Sequence, residues 1–270
     1  MKSSRTLAAA VLLSVALAGG DAAAQESYAQ LVAPEQGTPS QPDQAAQPEL
    51  RGPLMEDENN DPLEGLNRWT FGSALAFDKV VIRPVAYTYG RIVPLAIRDS
   101  VRNVINNLNS PVIFANDVLQ GEIDRAGVTF LRAFINSTFG IAGLFDIAAN
   151  YGLPRHYEDF GQTLAVYGVG EGPFLFLPFI GPSNPRDLIG RGVDLIFDPL
   201  FVLTWNEDRT AVYARFGMDM LDVRERSMET LDGLEVSSAD FYASLRALYR
   251  QNREYEIRNG EIVVEDLPDF

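Results

Sequence analysis

The sequence predicts an all-α protein, and three observations carry that prediction. From residue 61 onward, apolar residues recur at i, i+3, i+4 and i+7 over one segment after another. Helix-starting Asp-Pro and Ser-Pro pairs and helix-closing glycines punctuate those segments. No two apolar runs across residues 61–138 are joined by a two-residue hairpin signal.

Taken in order, residues 1–24 read as a cleavable secretory signal peptide. Lys2 and Arg5 give the positive start, Leu7 to Ala18 the apolar stretch, and Ala22-Ala23-Ala24 the small-residue cleavage site. Residues 25–60 are rich in Gln, Pro, Ala and Glu with almost no large apolar side chain. They cannot offset the entropy of ordering themselves and are expected to form a flexible leader. The helical domain spans 61–232, and 233–270 supply a C-terminal helix and an acidic tail.

The first helix is expected to start at Asp61-Pro62-Leu63-Glu64, with Asp61 as cap and Glu64 closing a capping box. Leu66, Trp69, Ala74, Phe77 and Val81 follow at near-helical spacing, and Arg83-Pro84 should end or kink the helix. A second helix is predicted over Pro94 to Leu108, and a third from Ser110-Pro111 to the closing Gly121. A fourth, Glu122 to Thr138, places Ile123, Ala126, Phe130, Leu131, Phe134 and Ile135 on one face. Asp187 to Phe197 and Glu207 to Leu231 read as further helices, and Ser238 opens a last one toward Arg258.

Between these lies the stretch from Asn136 to Pro199, where uncharged runs of about a dozen residues alternate with Gly-Pro turns and isolated charges. As helix, such a run reaches roughly 18 Å against a hydrocarbon core of about 30 Å, so none crosses a bilayer alone. Each suits either a buried core helix or a segment dipping into one leaflet, and pattern alone favours the core. The most apolar piece, Phe174 to Ile180, is bounded by Gly172-Pro173 and Gly181-Pro182. It is expected to be a short exposed segment or re-entrant bend with Phe174, Phe176 and Phe179 facing the membrane.

Composition narrows the function. A formal charge of −15, from 37 acidic against 22 basic residues, argues against nucleic acid and against electrostatic attraction to an anionic membrane. With 46% hydrophobic residues the chain can bury a full core. The absence of cysteine excludes disulfides, thiolate metal sites, a cysteine nucleophile and a lipidated cysteine, and a single histidine excludes a histidine-rich metal centre. No nucleophile elbow, Walker loop or zinc helix is present. Gly168-Val169-Gly170-Glu171-Gly172 has the wrong spacing for a dinucleotide fingerprint and reads as a turn. His156 stands near Glu158 and Asp159, but a His-carboxylate pair needs a nucleophile or metal to complete it, so a surface or helix-capping role is expected and no cofactor is called for.

The order of short motifs resembles the MlaA family, also called VacJ, of outer-membrane phospholipid-transport proteins. The resemblance rests on Asp61-Pro62-Leu63-Glu64-Gly65-Leu66-Asn67-Arg68, Arg83-Pro84-Val85-Ala86, Asn106-Asn107-Leu108, Asn116-Asp117-Val118-Leu119-Gln120-Gly121, Phe134 to Asp146, Glu158 to Leu164, and Gly181-Pro182-Ser183 with Arg186-Asp187. It implies a helical ring embedded in one leaflet of the outer membrane, on its periplasmic face, around a polar central channel. Through that channel mislocalised phospholipid passes to a periplasmic carrier protein, while a trimeric porin holds the ring. The same resemblance implies that Asn67, Arg68, Phe71, Asn136, Asp146, Glu158, Asp159 and Gln162 belong to the channel or its gate. Two departures stand out. The family's lipidated cysteine is missing, and Phe71-Gly72-Ser73-Ala74 keeps only the first aromatic of a Phe-x-Phe-Asn segment. The rival readings are a soluble periplasmic scaffold and a lipid-acting hydrolase.

Overall fold

The structure, a computed structural model, describes residues 60–260 with the exception of Phe179. The expected signal peptide, nearly all of the leader, the acidic tail from residue 261 and the placement of Phe179 lie outside the described residues. What is described is mostly helical.

Helix α1 (Glu64–Phe77) runs without a break through a π-helical turn, Asp78–Ile82, into α2 (Arg83–Ile92). The expected stop at Arg83-Pro84 does not occur. The wider π turn is followed by Pro84 in the first turn of α2, where the missing N–H is least costly. Nor does Asp61 cap α1, since no side chain caps it. Asp61 is buried instead, accepting hydrogen bonds from Asn67, Tyr242 and Arg246.

The chain then turns by 116° into α3 (Leu95–Gln120). This single helix replaces the two expected ones, with Pro111 inside it and Gly121 closing it at a φ of 83°. Helix α4 (Ile123–Thr138) packs back along α3. A loop and a 3₁₀ turn (Ala148–Tyr151) lead to α5 (Phe160–Val166), capped by Asp159 through the Gln162 amide. A hairpin of β1 (Leu175–Leu177) and β2 (Gly181–Ser183) follows, pairing Phe176 with Pro182. Helices α6 (Pro185–Phe197) and α7 (Pro199–Leu203) come next, then α8 (Thr210–Arg226), α9 (Met228–Ser237) and α10 (Phe241–Ile257). Ser227 splits the expected Glu207 to Leu231 helix into α8 and α9.

The hairpin corrects a further expectation. Phe174 and Phe176 do not face outward: they are 4% and 2% exposed and pack with Phe71, Ala74 and Tyr242 into an aromatic core shared by α1, β1 and α10. The Phe71 and Phe176 rings meet edge to face at 5.3 Å. Helix-breaking residues at both ends did produce a bend, but it is a strand pair that Asn67 can grip. The Asn67 amide donates to the Phe174 carbonyl and its oxygen accepts from the Phe176 amide.

Elsewhere the usual distribution of polarity is reversed. Among the described residues, buried polar and charged side chains outnumber buried apolar ones, and the largest fully buried side chains after Phe176 are Gln162, Glu158, Asn67 and Asn116. The apolar faces meant for a core are open. Trp69, Ile92, Ile97, Ile123, Phe130, Phe134, Ile189 and Ile196 are all exposed. No single helix among the described residues is long and apolar enough to cross a membrane.

Candidate polar channel and its supports

The reversal is clearest where α3 meets α4. On α3, Asn103, Asn106, Asn107 and Ser110 fall at i, i+3, i+4 and i+7, one polar stripe. On α4, Thr129, Arg132 and Asn136 make the same kind of stripe and are buried, while Phe130 and Phe134 point away. Facing each other, the stripes leave a polar cleft of about 40 Å³, closed on a third side by Arg155 and His156.

Asp146 is shared by two cations of the lining. Arg132 donates to both its oxygens at 2.9 and 2.7 Å, and Arg155 donates to Oδ2 at 3.1 Å and to Asn103 at 3.3 Å. Asn136 donates to Asp146 at 2.9 Å and accepts from the Ala148 amide, which fixes the loop to α4. Burial alone would raise the Asp146 pKa, but the Asn136 amide and the Arg132 guanidinium outweigh it, and the carboxyl lies below its usual range. Arg132 also donates to the Leu153 carbonyl, so both strands of the loop hang on one guanidinium.

His156 neither caps a helix nor lies on the surface. Its Nε2 sits 2.9 and 3.0 Å from the Asp117 oxygens, and Thr129 donates its own hydroxyl to the same carboxylate at 2.8 Å. The same Nε2 lies 3.2 Å from the Thr129 hydroxyl, whose proton goes to Asp117.

Behind the cleft a second network joins α5, α6 and α10. Arg253 is bidentate to Asp159 at 2.8 and 2.7 Å, lies 2.9 Å from Asp187 and donates to Glu256 at 3.0 Å. Gly190 and Gly161 make this possible. A Cβ on Gly190 would fall 2.3 Å from the Gly161 amide nitrogen, and one on Gly161 would fall 2.5 Å from an Arg253 nitrogen. Only helices this close let one arginine reach both. Burial opposes ionisation of Asp159 and Asp187, but Arg253 holds both carboxyls low. For Glu256, a third carboxylate around one guanidinium, burial wins and the pKa rises to about 7. Burial raises Glu158 to about 7 as well, although Gln120 and Arg125 both donate to it. Gln162, with its amide turned to donate, bridges Glu158 and the Glu256 carbonyl at 2.8 and 3.1 Å.

The residues singled out in the sequence thus separate into three places. Asn136 lines the cleft, and Asp146 anchors three of its lining residues, Arg132, Asn136 and Arg155. Glu158, Asp159 and Gln162 lie in the network that ties α5 to α3 and α10. Asn67 and Phe71 hold the β hairpin, and Arg68 reaches Asp240 at the start of α10 at 3.1 and 2.6 Å. Sequence reasoning passed over Arg132, Arg155 and the Asn103–Asn106–Asn107 stripe. The available signal was the i, i+3, i+4 recurrence of asparagine on an otherwise apolar helix.

Residues 59–256 match the family model described as MlaA lipoprotein. The intermembrane phospholipid transport system lipoprotein MlaA of Haemophilus influenzae is 33% identical over 218 residues, covering 78% of this chain and 86% of that protein. The Escherichia coli K12 protein of the same name is 33% identical over 214 residues, covering 78% and 83%. A solved structure described as the structural basis for maintenance of bacterial outer membrane lipid asymmetry superposes with a TM-score of 0.66 at 33% identity, covering 73% of this chain and 98% of that one. By its order of motifs, its helical architecture and these relatives, the chain belongs to the MlaA lipoprotein family.

Proposed function

We propose that this protein maintains the lipid asymmetry of the outer membrane by passing phospholipid out of the outer leaflet toward the periplasm, seated in the inner leaflet as a passage lined by its polar residues. The observation that carries the reading is the reversal of polarity: apolar helix faces outside, paired charges and amides inside. In water the exposed apolar faces would be a liability, while in hydrocarbon they are the stabilising surface. A lipid changing leaflets needs a polar route, because placing its charged headgroup in hydrocarbon is costly. Passage needs no bond chemistry.

The names borne by the relatives, which place them in an intermembrane phospholipid transport system, support the same reading. On it, Asn136 and Asp146 line the route, Glu158, Asp159 and Gln162 support its wall, and Asn67, Arg68 and Phe71 act on it by holding the hairpin. A trimeric outer-membrane porin positions the protein and a periplasmic carrier receives the lipid. The signal peptide is removed after Ala24. Attachment to the membrane is through the apolar helix faces and the porin.

The test is genetic and direct. Cells lacking the protein should accumulate phospholipid in the outer leaflet, and the intact chain should reverse this. Normal asymmetry in its absence, or full release of the protein by high salt without detergent, sinks the proposal in favour of a soluble scaffold.

A further inference from the structure

We infer that the cleft between α3 and α4 seats a phosphate oxyanion, brought to it as the phosphodiester of a lipid headgroup. The inference rests on the lipid-passage reading and adds to it a place where the headgroup is recognised.

Charge is the first argument. In a chain of net −15, the Asp146 node carries two guanidiniums on one carboxylate. Two other buried networks run the opposite way: Arg253 faces Asp159, Asp187 and Glu256, and Arg125 faces Glu158 and Asp117. Asp222 also meets two guanidiniums, Arg102 and Arg226, but Arg226 is shared with Asp99. Within the Asp146 node one positive charge is therefore in excess, while the carboxylate of Asp117 stands behind the lining residues Thr129 and His156.

Donor geometry is the second. Arg132 is fully committed, to Leu153 through one terminal nitrogen and to Asp146 through the other, and fixes the floor. Arg155 spends only one terminal nitrogen on its partners, Asn103 and Asp146. Its side chain stays 25% exposed, so part of a fork suited to two phosphate oxygens remains available.

The third argument is what the cleft leaves unpaired. Nδ2 of Asn106 and Oδ1 of Asn107 are buried in its lining without a hydrogen-bond partner. Buried polar atoms left in that state are rare in folded proteins, and a donor beside an acceptor suits a phosphodiester whose alcohol carries its own hydroxyl or ammonium.

Size and surroundings agree. At about 40 Å³ the cleft holds a headgroup phosphate but no acyl chain. Beside it, the 138–146 loop presses Gly143 against Asn107, where a Cβ would lie 2.7 Å from that of the asparagine. The same loop exposes Phe139, Ile141 and Phe145, an apolar surface along which acyl chains can lie. Ile141 and Ala142 hold φ values of 52° and 55°, unusual for residues with side chains, so the loop keeps this course against local preference.

The test uses the full chain purified in neutral detergent and titrated with fluorescent phosphatidylglycerol and with diacylglycerol of the same acyl chains, with inorganic phosphate as competitor. Wild type should prefer the phospholipid, and phosphate should compete for it alone. Arg155→Gln should weaken phosphatidylglycerol binding by about tenfold and leave diacylglycerol binding unchanged, while Arg155→Lys should recover part of the loss. Asn106→Leu provides a second variant, expected to show the same selective loss should Arg155→Gln fail to fold. Equal binding of the two lipids, unaffected by either variant, overturns the seat while lipid handling stands. Binding of inorganic phosphate with no phospholipid preference assigns the site to free phosphate and also overturns it. A wild type that takes up neither lipid fails earlier, at the lipid-passage reading itself.

Discussion

The aromatic core of α1, β1 and α10 and the α3–α4 pair are built from similar residues in opposite senses. In the first, Phe71, Phe174, Phe176 and Tyr242 turn inward and exclude solvent, as in any water-soluble domain. In the second, Phe130 and Phe134 turn outward and Thr129, Arg132 and Asn136 turn inward. What decides the sense is the partner of the polar stripe. Along α3 and α4 each stripe finds the other, whereas the hairpin's backbone groups are met by Asn67 and Thr70 of α1, leaving its rings free to pack. Apolar content alone therefore does not say which way a helix faces.

The largest expected effect attacks the conventional region. Phe176→Lys places a cation where the native ring is 2% exposed and edge-packed on Phe71. Loss of the ring and burial of an unpaired charge should cost at least about 4 kcal/mol, read as a collapsed circular dichroism melt in detergent. If the variant melts like wild type and only partitions less well into membranes, the rings face lipid and the contrast between the regions dissolves.

Next comes the network between them. Arg253→Met strips the cation from two carboxylates held low by it and should cost about 3–5 kcal/mol in a denaturant titration. Adding Asp159→Asn to Arg253→Met should recover part of this, since one stranded charge is then removed. A double variant no better than the single would mean that Arg253 acts by packing alone.

How much of this was legible in the sequence depends on range. Gly121 ends α3 in the left-handed region, as expected, while the Asp159 cap of α5 and the Asn184 cap of α6 just ahead of Pro185 are local signals that the sequence carries and the reading passed over. Pro84 and Pro111 were over-read as breaks, because proline is tolerated in a first turn and because α4 packed along α3 outweighs one lost hydrogen bond. The supports of the site were not legible. Asp61 meets Arg246 across 185 positions and Arg253 meets Asp159 across 94, and no local pattern encodes either pair. Asn136 in the cleft and Asp146 behind it were reached through the family resemblance, while Arg132, a charge off the apolar face of α4, carries no local signal of its own.

A smaller effect, confined to a pH window, sharpens the network further. Glu256 is raised from 4.5 to about 7 by burial, with Asp159 nearby adding to it and Arg253 opposing. The folded state thus holds a proton that the unfolded chain has already released between those values. Stability falls as pH rises through this window, by on the order of 3 kcal/mol for this group once both states are ionised. Glu256→Gln removes the titration and keeps the shape. It should match wild type at pH 4.5 and melt higher at pH 8, in thermal melts across the range. A constant difference at all pH values would show that Glu256 stays ionised against Arg253.

The smallest effect on folding is expected from the reversed region, and it tests the comparison most directly. Phe134 on α4 and Ile196 on α6 are 54% and 67% exposed and take no part in the buried networks. In a soluble protein, exchanging two such residues for glutamine would change stability by no more than about 0.5 kcal/mol each and would improve solubility. The same is expected here for folding: the double variant Phe134→Gln/Ile196→Gln should keep the wild-type melt in detergent, since neither side chain holds a neighbour in place. Partitioning is another matter. If those faces lie in hydrocarbon, losing both apolar side chains should cost about 3 kcal/mol of transfer free energy, on the order of a hundredfold in vesicle partitioning measured by flotation. An unchanged melt with a hundredfold loss of flotation marks the outward faces as the lipid-facing surface. Unchanged flotation would mean that the apolar faces of α4 and α6 are covered by protein, and that the polarity of this fold is reversed for a partner and not for the bilayer.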